Sequence, residues 1–158
     1  MKEQERYIRQ LSLPEIGEKG QERLKASKVL IIGAGGLGSP VALYLASAGV
    51  GTLGILDYDK VCTSNLNRQI LYEEGDEGKC KVEAAAHRLK KLNSHIQVNV
   101  YPEKITRENY QRALEIVAGY DIVVDACDNM ATRYLVSDLT EELSKPFVYG
   151  AMEGFCGY

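Results

Sequence analysis

Apolar and polar positions follow two rhythms along this chain, and its elements lie where the rhythm changes. KVLIIGAG, from Lys28, is a continuous apolar run ending in glycines. A strand buried on both faces reads this way, because neither side of its pleat meets water. The next stretch, LGSPVALYLASAG, has helical spacing, so strand, glycine turn and helix are expected in that order. TLGILD reads as a second strand, Lys79 to Asn93 as a helix after a long polar loop, and IQVNVYP as an alternating strand. A helix over about 107–118, a buried strand DIVVDAC, a helix over Ala131 to Ser144 and a final core strand PFVYGA complete the pattern. Two polar stretches precede it, Glu3 to Gln10 and Pro14 to Lys25. Both read as short helices, the second with proline at its first position.

Sustained alternation of strands and helices predicts an α/β fold, Rossmann-like and doubly wound. Its mainly parallel sheet has right-handed crossovers, helices on both faces and a ligand crevice beyond the carboxyl ends of the strands. The expected organisation is an N-terminal helical segment over residues 1–26 and one nucleotide-binding domain over 27–158. The chain stops at EGFCGY, immediately after a core-like strand, and that abrupt end reads as a truncated domain.

Composition narrows the function classes. With 158 residues, 45% of them apolar, one domain can bury one substantial core. A net charge of -3 provides no general attraction for nucleic acid or an anionic membrane, so any positive site is local. No apolar run approaches the roughly 18 to 20 residues of a membrane span, and the polar start MKEQERYIRQ does not resemble a secretory leader. A cytoplasmic protein is expected. The cysteines, Cys62, Cys80, Cys127 and Cys156, form no C-x-x-C pair and read as reduced thiols without a metal cage. His87 and His95 are isolated and are expected on polar surface.

The candidate chemistry follows the strands. GAGGLGS supplies Gly33, Gly35 and Gly38 in the G-x-G-x-x-G spacing between a strand and a helix, where backbone can approach phosphates beside a positive helix end. Asp57, about 20 residues on, suits a ribose hydroxyl and fits NAD as well as ATP; Asp59 orders the turn or joins the site. SNLNRQ then brings Asn65, Arg68 and Gln69, and Lys81 opens the next helix. Hydride transfer needs none of these, whereas charge developing on phosphate oxygens calls for fixed cations and amide donors. Taken singly, each also reads as an ordinary surface or helix-end group. DACDN puts Asp125 and Asp128 at the end of the fourth strand, Asp128 placed for magnesium and Asp125 for capping loop backbone.

Taken in order, RYIRQ, GAGGLGS, DYDKV, SNLNRQ, Lys81 and DACDN resemble the ThiF/HesA/MoeB family, relatives of the adenylation domain of ubiquitin-activating enzymes. The resemblance runs from about Arg6 to the C-terminus. It implies ATP and magnesium as ligands and adenylylation of the C-terminal glycine of a small ubiquitin-like sulfur carrier ending in Gly-Gly, with release of pyrophosphate. It further implies Gly36 and its neighbouring glycines at the phosphates and Asp57 on the ribose. Asn65, Arg68 and Lys81 would then contact the triphosphate, with Asp128 on magnesium. Arg9 matches the arginine that family homodimers send into the partner's ATP site, which implies a dimer. Typical members continue further, with zinc-binding C-x-x-C pairs that this chain lacks. Three alternatives stand beside this reading: a family enzyme that adenylates tRNA or a small molecule, an NAD-dependent oxidoreductase, and a non-catalytic binding or scaffold fragment that retains the fold.

Overall fold

The structure, a computed structural model, describes residues 3–158; the first two residues of the expected N-terminal segment lie outside the described residues. Five strands form one wholly parallel sheet in the order β3-β2-β1-β4-β5: β1 Lys28–Ile32, β2 Thr52–Leu56, β3 Gln97–Tyr101, β4 Ile122–Asp125 and β5 Phe147–Tyr149. Its connecting helices are α4 Gly38–Ala48, α5 Lys81–Leu92, α6 Tyr110–Ala118 and α7 Met130–Glu142.

Both faces of β1 are covered, which explains its unbroken apolar run. Val29 and Ile31 pack with Ala42, Ala46, Val82, Ala85 and Leu89 of α4 and α5, whereas Leu30 and Ile32 pack with Ala113, Ile116, Val117, Val136 and Leu139 of α6 and α7. Burial of each valine, leucine or isoleucine among them contributes on the order of 1.5–3 kcal/mol. The chain order reverses between β1 and β4, the neighbours from which the sheet was extended in opposite directions. A crevice opens beyond strand ends at such a switch point.

The N-terminal helices differ from expectation. The first polar stretch is broken into α1 Glu3–Arg6 and α2 Ile8–Leu11. Tyr7 lies between them because its ring is drawn into the core, 4% exposed, and its hydroxyl accepts a hydrogen bond from Asn93 Nδ2 at 2.8 Å. Pro14 does not begin a helix. The carbonyl of Leu13 accepts from the amides of Ile16 and Gly17 in a tight turn, and α3 starts only at Gly17 and runs to Ala26.

The end of the chain differs too. β5 was expected as a core strand, yet Val148 and Tyr149 are 56% and 54% exposed. β5 is the last strand in the sheet order, with a neighbour on one side only, and such an edge position leaves side chains open to water. After it, β6 Met152–Glu153 and β7 Cys156–Gly157 form a short antiparallel hairpin that the apolar pattern did not predict.

Candidate nucleotide site

A cleft of about 840 Å³ opens beyond the carboxyl ends of β1, β2 and β4. Its walls include Gly33, Gly35, Gly36, Asp57, Asp59, Arg68, Gln69, Lys81 and Asp128, so residues from five separate stretches of sequence meet there. Three other candidates do not line it. Gly38 lies behind the turn, Asn65 lies within the loop, and Arg9 is exposed on α2.

The glycine turn has specific steric reasons for its composition. Gly33 adopts φ +91°, and a Cβ there would meet backbone atoms of Ala126 and Cys127 at 2.8–2.9 Å. A Cβ on Gly38 would collide with the carbonyl oxygen of Gly33, so this position lets α4 close on the turn. Gly36 is different: its Cβ would rest 3.5 Å from Arg68 Cγ, an ordinary contact. What Gly36 provides is an open floor beneath the arginine stem.

Each strand-end aspartate is committed to a loop. Asp57, 8% exposed, accepts the amides of Ala34 and Asp59, each at 2.8 Å. Each of its oxygens keeps a further lone pair, which leaves it able to accept a ribose hydroxyl. Asp125, 0% exposed, accepts the Cys127 amide at 2.9 Å and Arg133 Nε at 2.8 Å, the loop-capping role expected of it.

The cations are arranged individually. Lys81 is 4% exposed, and its Nζ donates to Asp59 Oδ2 at 3.0 Å, while its amide donates to the Asp59 carbonyl at 3.0 Å. Arg68 is exposed; its Nη1 donates to Ser64 O at 3.2 Å and Asn67 Oδ1 at 3.0 Å. Asn65 closes the turn that aims this arginine. Its Oδ1 accepts the Cys62 amide at 3.2 Å, and its carbonyl accepts the amides of Arg68 and Gln69. Gln69 is 4% exposed with Oε1 lacking a hydrogen-bond partner, and its Nε2 lies beside Gly35. Leaving a buried amide oxygen unpaired costs about 1–3 kcal/mol, so an unsatisfied amide at the wall of this cleft fits a polar ligand such as a nucleotide.

Magnesium also fits the donor set. Asp57, Asp59 and Asp125 are engaged by amides or cations, and Asp128 is an exposed carboxylate on the wall. Among the described residues no group of three or more His, Cys, Asp or Glu could form a complete cage. A hard cation held by one carboxylate plus ligand phosphates needs no such cage.

Several wall residues escaped the sequence reading. Arg133 pairs with Asp125, and Lys104 Nζ lies 5.2 Å from the centre of the Tyr58 ring. The Tyr72 hydroxyl, behind the wall, donates to the Ala34 carbonyl at 2.8 Å. One signal could have found Arg133: it sits in the first turns of α7, where a cation opposes the helix dipole unless an anion compensates. Nothing comparable marks Tyr72. Cys127 lines the cleft too, but burial, helped by the Asp125 carboxylate, pushes its thiol up to about 12.

A model of the ThiF family matches residues 7–158. The sulfur carrier protein adenylyltransferase of Thermus thermophilus is 51% identical over 155 residues, 98% of this chain and 56% of that protein. The adenylyltransferase and sulfurtransferase MOCS3 of Dictyostelium discoideum is 55% identical over 147 residues, 93% of this chain and 34% of that protein. Among solved structures, the E. coli tRNA N6-threonylcarbamoyladenosine dehydratase TcdA in complex with ATP superposes with a TM-score of 0.88 at 28% identity, covering 97% of this chain and 62% of that one. E. coli MccB with AMPCPP and MccA superposes with a TM-score of 0.80 at 32% identity, covering 92% and 44%. The chain thus spans between one third and somewhat over half the length of these curated relatives.

Proposed function

This chain belongs to the ThiF family, and on that premise we propose that its cleft binds ATP with magnesium and adenylates the C-terminal glycine of a small ubiquitin-like sulfur carrier ending in Gly-Gly. The observation that carries the reading is the position of Arg68, whose stem lies over Gly36 in the turn suited to phosphates. Lys81, Gln69 and Asp128 share the same cleft. A hydride-transfer site has no use for this set of charges; a displacement at phosphorus does.

In this reading the Gly33–Gly36 turn and the start of α4 receive the phosphates, and Asp57 takes the ribose. The carrier carboxylate attacks the α-phosphorus in line. One carboxylate oxygen–phosphorus bond forms as the bond to the leaving pyrophosphate breaks. Arg68 and Lys81 neutralise the charge that develops on the phosphate oxygens, with Asp59 orienting Lys81, Asn65 shaping the loop and Gly38 letting the helix close. When bound, magnesium would add charge neutralisation at the phosphates, and Asp128 is the residue that would hold it. No enzyme nucleophile is needed, which agrees with a Cys127 thiol that stays protonated near neutral pH.

Arg9 belongs to a homodimer in this reading. The 1–26 segment serves as an arm that carries it to the partner's site, and residues 27–158 form the nucleotide-binding domain. A cytoplasmic setting suits the four unbridged cysteines, and among the described residues no helix is long and apolar enough to cross a membrane. The fold's likeness to a tRNA dehydratase holding ATP favours a second reading, adenylylation of a tRNA base by the same cleft. The 51% identity to a sulfur carrier adenylyltransferase favours the first.

Calorimetric titration with ATP and magnesium, with NAD in parallel and R68A as control, tests the site. ATP binding that weakens in R68A, with no NAD binding, supports the proposal; NAD binding instead of ATP overturns it. Pyrophosphate exchange into ATP that requires a Gly-Gly-ending carrier separates the two readings.

A further inference from the structure

Arg133 ties α7 to the loop after β4 and to the end of β5, where the Gly150 amide already donates to the Asp125 carbonyl at 3.0 Å. Its Nε donates to Asp125 Oδ2 at 2.8 Å, its Nη2 donates to the carbonyls of Cys127 at 2.8 Å and Gly150 at 2.9 Å, and its guanidinium lies 5.4 Å from the centre of the Tyr149 ring. Asp125 completes the arrangement by accepting the Cys127 amide. Both backbone groups of Cys127 are therefore held, the N–H by the buried carboxylate and the C=O by the guanidinium. That carbonyl shares a rigid peptide plane with the nitrogen of Asp128, so holding it sets the direction from which Asp128 leaves the backbone. Through Gly150 the same side chain anchors the start of the segment whose Ala151, Met152 and Glu153 also line the cleft.

Charge compensation alone does not require this geometry. Any cation could neutralise Asp125; a planar fork is needed to serve a carboxylate and two carbonyls together. We infer that Arg133 is a positioning residue, which sets Asp128 for a metal–nucleotide complex. The inference rests on reading the cleft as a site for magnesium and ATP.

The test is calorimetric titration of the full chain with ATP, with and without magnesium, for the natural protein, R133K, D128N and the double variant. R133A leaves Asp125 buried and uncompensated and can fail to fold, so R133K, which keeps the charge but not the fork, carries the comparison, with circular dichroism to confirm folding. In R133K the strengthening of ATP binding by magnesium is expected to fall on the order of tenfold, the usual scale for residues behind a metal ligand, while metal-free ATP binding changes by less than about twofold. In the D128N background R133K adds no further loss, because the arginine acts through Asp128.

R133K that keeps the magnesium effect, weakens both titrations equally, or does not fold overturns the inference and leaves the proposed function standing. If the natural protein binds ATP without any magnesium effect, or D128N binds as the natural protein does, the magnesium site falls and Arg133's assigned role falls with it.

Discussion

The hydroxyl of Tyr72 donates to the carbonyl of Ala34 at 2.8 Å, and the amide of Ala34 donates to Asp57 at 2.8 Å. Both backbone groups of a buried turn residue thus end on side chains from elsewhere in the chain. Cys127 is held in the same way, its amide by Asp125 and its carbonyl by Arg133. Two turns line the cleft, and one device stiffens both: an aspartate at a strand end takes the N–H, and a donor from a later segment takes the C=O.

Tyr72→Phe removes the donor and leaves the Ala34 carbonyl buried without a partner. Unfolding in urea should show a loss of about 1–3 kcal/mol, and ATP affinity should fall because the glycine turn loses its brace. Unchanged stability would mean that the carbonyl finds water instead.

Gly33→Ala and Gly36→Ala should behave differently although both sit in one motif. The first forces a Cβ against the backbone of Ala126 and Cys127 at a positive φ, so loss of the folded state or of nucleotide binding is expected. The second meets only the Arg68 stem at 3.5 Å or more, and its thermal unfolding should stay within about 1 kcal/mol of the natural protein. Equal damage from both would contradict this account of the turn.

Lys81→Met separates folding from function. Its partner Asp59 has a side chain 49% exposed, so water takes over when the amine is removed, and methionine fills the buried stem. Stability should change by no more than about 1 kcal/mol in either direction. ATP affinity, measured by calorimetry, should drop on the order of tenfold or more as a fixed phosphate-facing charge is lost. A variant that binds ATP normally would remove Lys81 from the site.

Asn93→Leu tests the attachment of the N-terminal arm. Asn93 is 0% exposed, and its Nδ2 donates to Tyr7 Oη and to the Ala46 carbonyl, each at 2.8 Å. Leucine leaves the Tyr7 hydroxyl and the His95 amide without their Asn93 partner, while the Ala46 carbonyl keeps the Gly49 amide at 3.2 Å, and the loss costs about 1–3 kcal/mol. Limited proteolysis should then cut sooner between Tyr7 and Gly17. Resistance equal to the natural protein would show that Gln10 and Gln21, which both donate to the Ala48 carbonyl at 3.0 Å, suffice to hold the arm.

Thiol labelling near neutral pH should distinguish the cysteines. A hydrogen bond from the Ser64 hydroxyl holds the exposed Cys62 thiol below its ordinary pKa, so it should alkylate ahead of Cys127. Burial raises Cys127 to about 12, so its neutral form is the one the fold favours, and its reactivity should climb only as pH rises from about 9 towards 12. Mass spectrometry after brief alkylation checks the order. Early labelling of Cys127 would reopen the question of a thiol nucleophile.

Much of this was legible in the order of residues. Apolar runs such as Val29 to Ile32 declare a strand buried on both faces, because no polar side chain interrupts either side of the pleat, and the central four strands and four helices followed from that rhythm. The glycine spacing placed the turn, and Asp57, Arg68, Lys81 and Asp128 could be nominated because phosphate chemistry favours those residue types beside it. The pattern failed where local signals were outweighed by distant contacts. Tyr7 looked like part of one helix but left it to reach Asn93, 86 residues away, and PFVYGA looked buried although its strand lies at the sheet edge.

Sequence by itself therefore determined the parts: which segments are strands, which glycines can face phosphate, and which charged residues can serve it. Only the tertiary structure decided their assignments. Asn65 ended in the loop and Gln69 in the wall, four residues apart, because the 3₁₀ turn at Thr63–Asn65 points them differently. Arg133 and Tyr72 acquired their roles through partners eight and 38 residues away. Hydrophobic periodicity is a local property and can be read along the chain, whereas a hydrogen bond between side chain and distant backbone exists only once the sheet has brought its strand ends together.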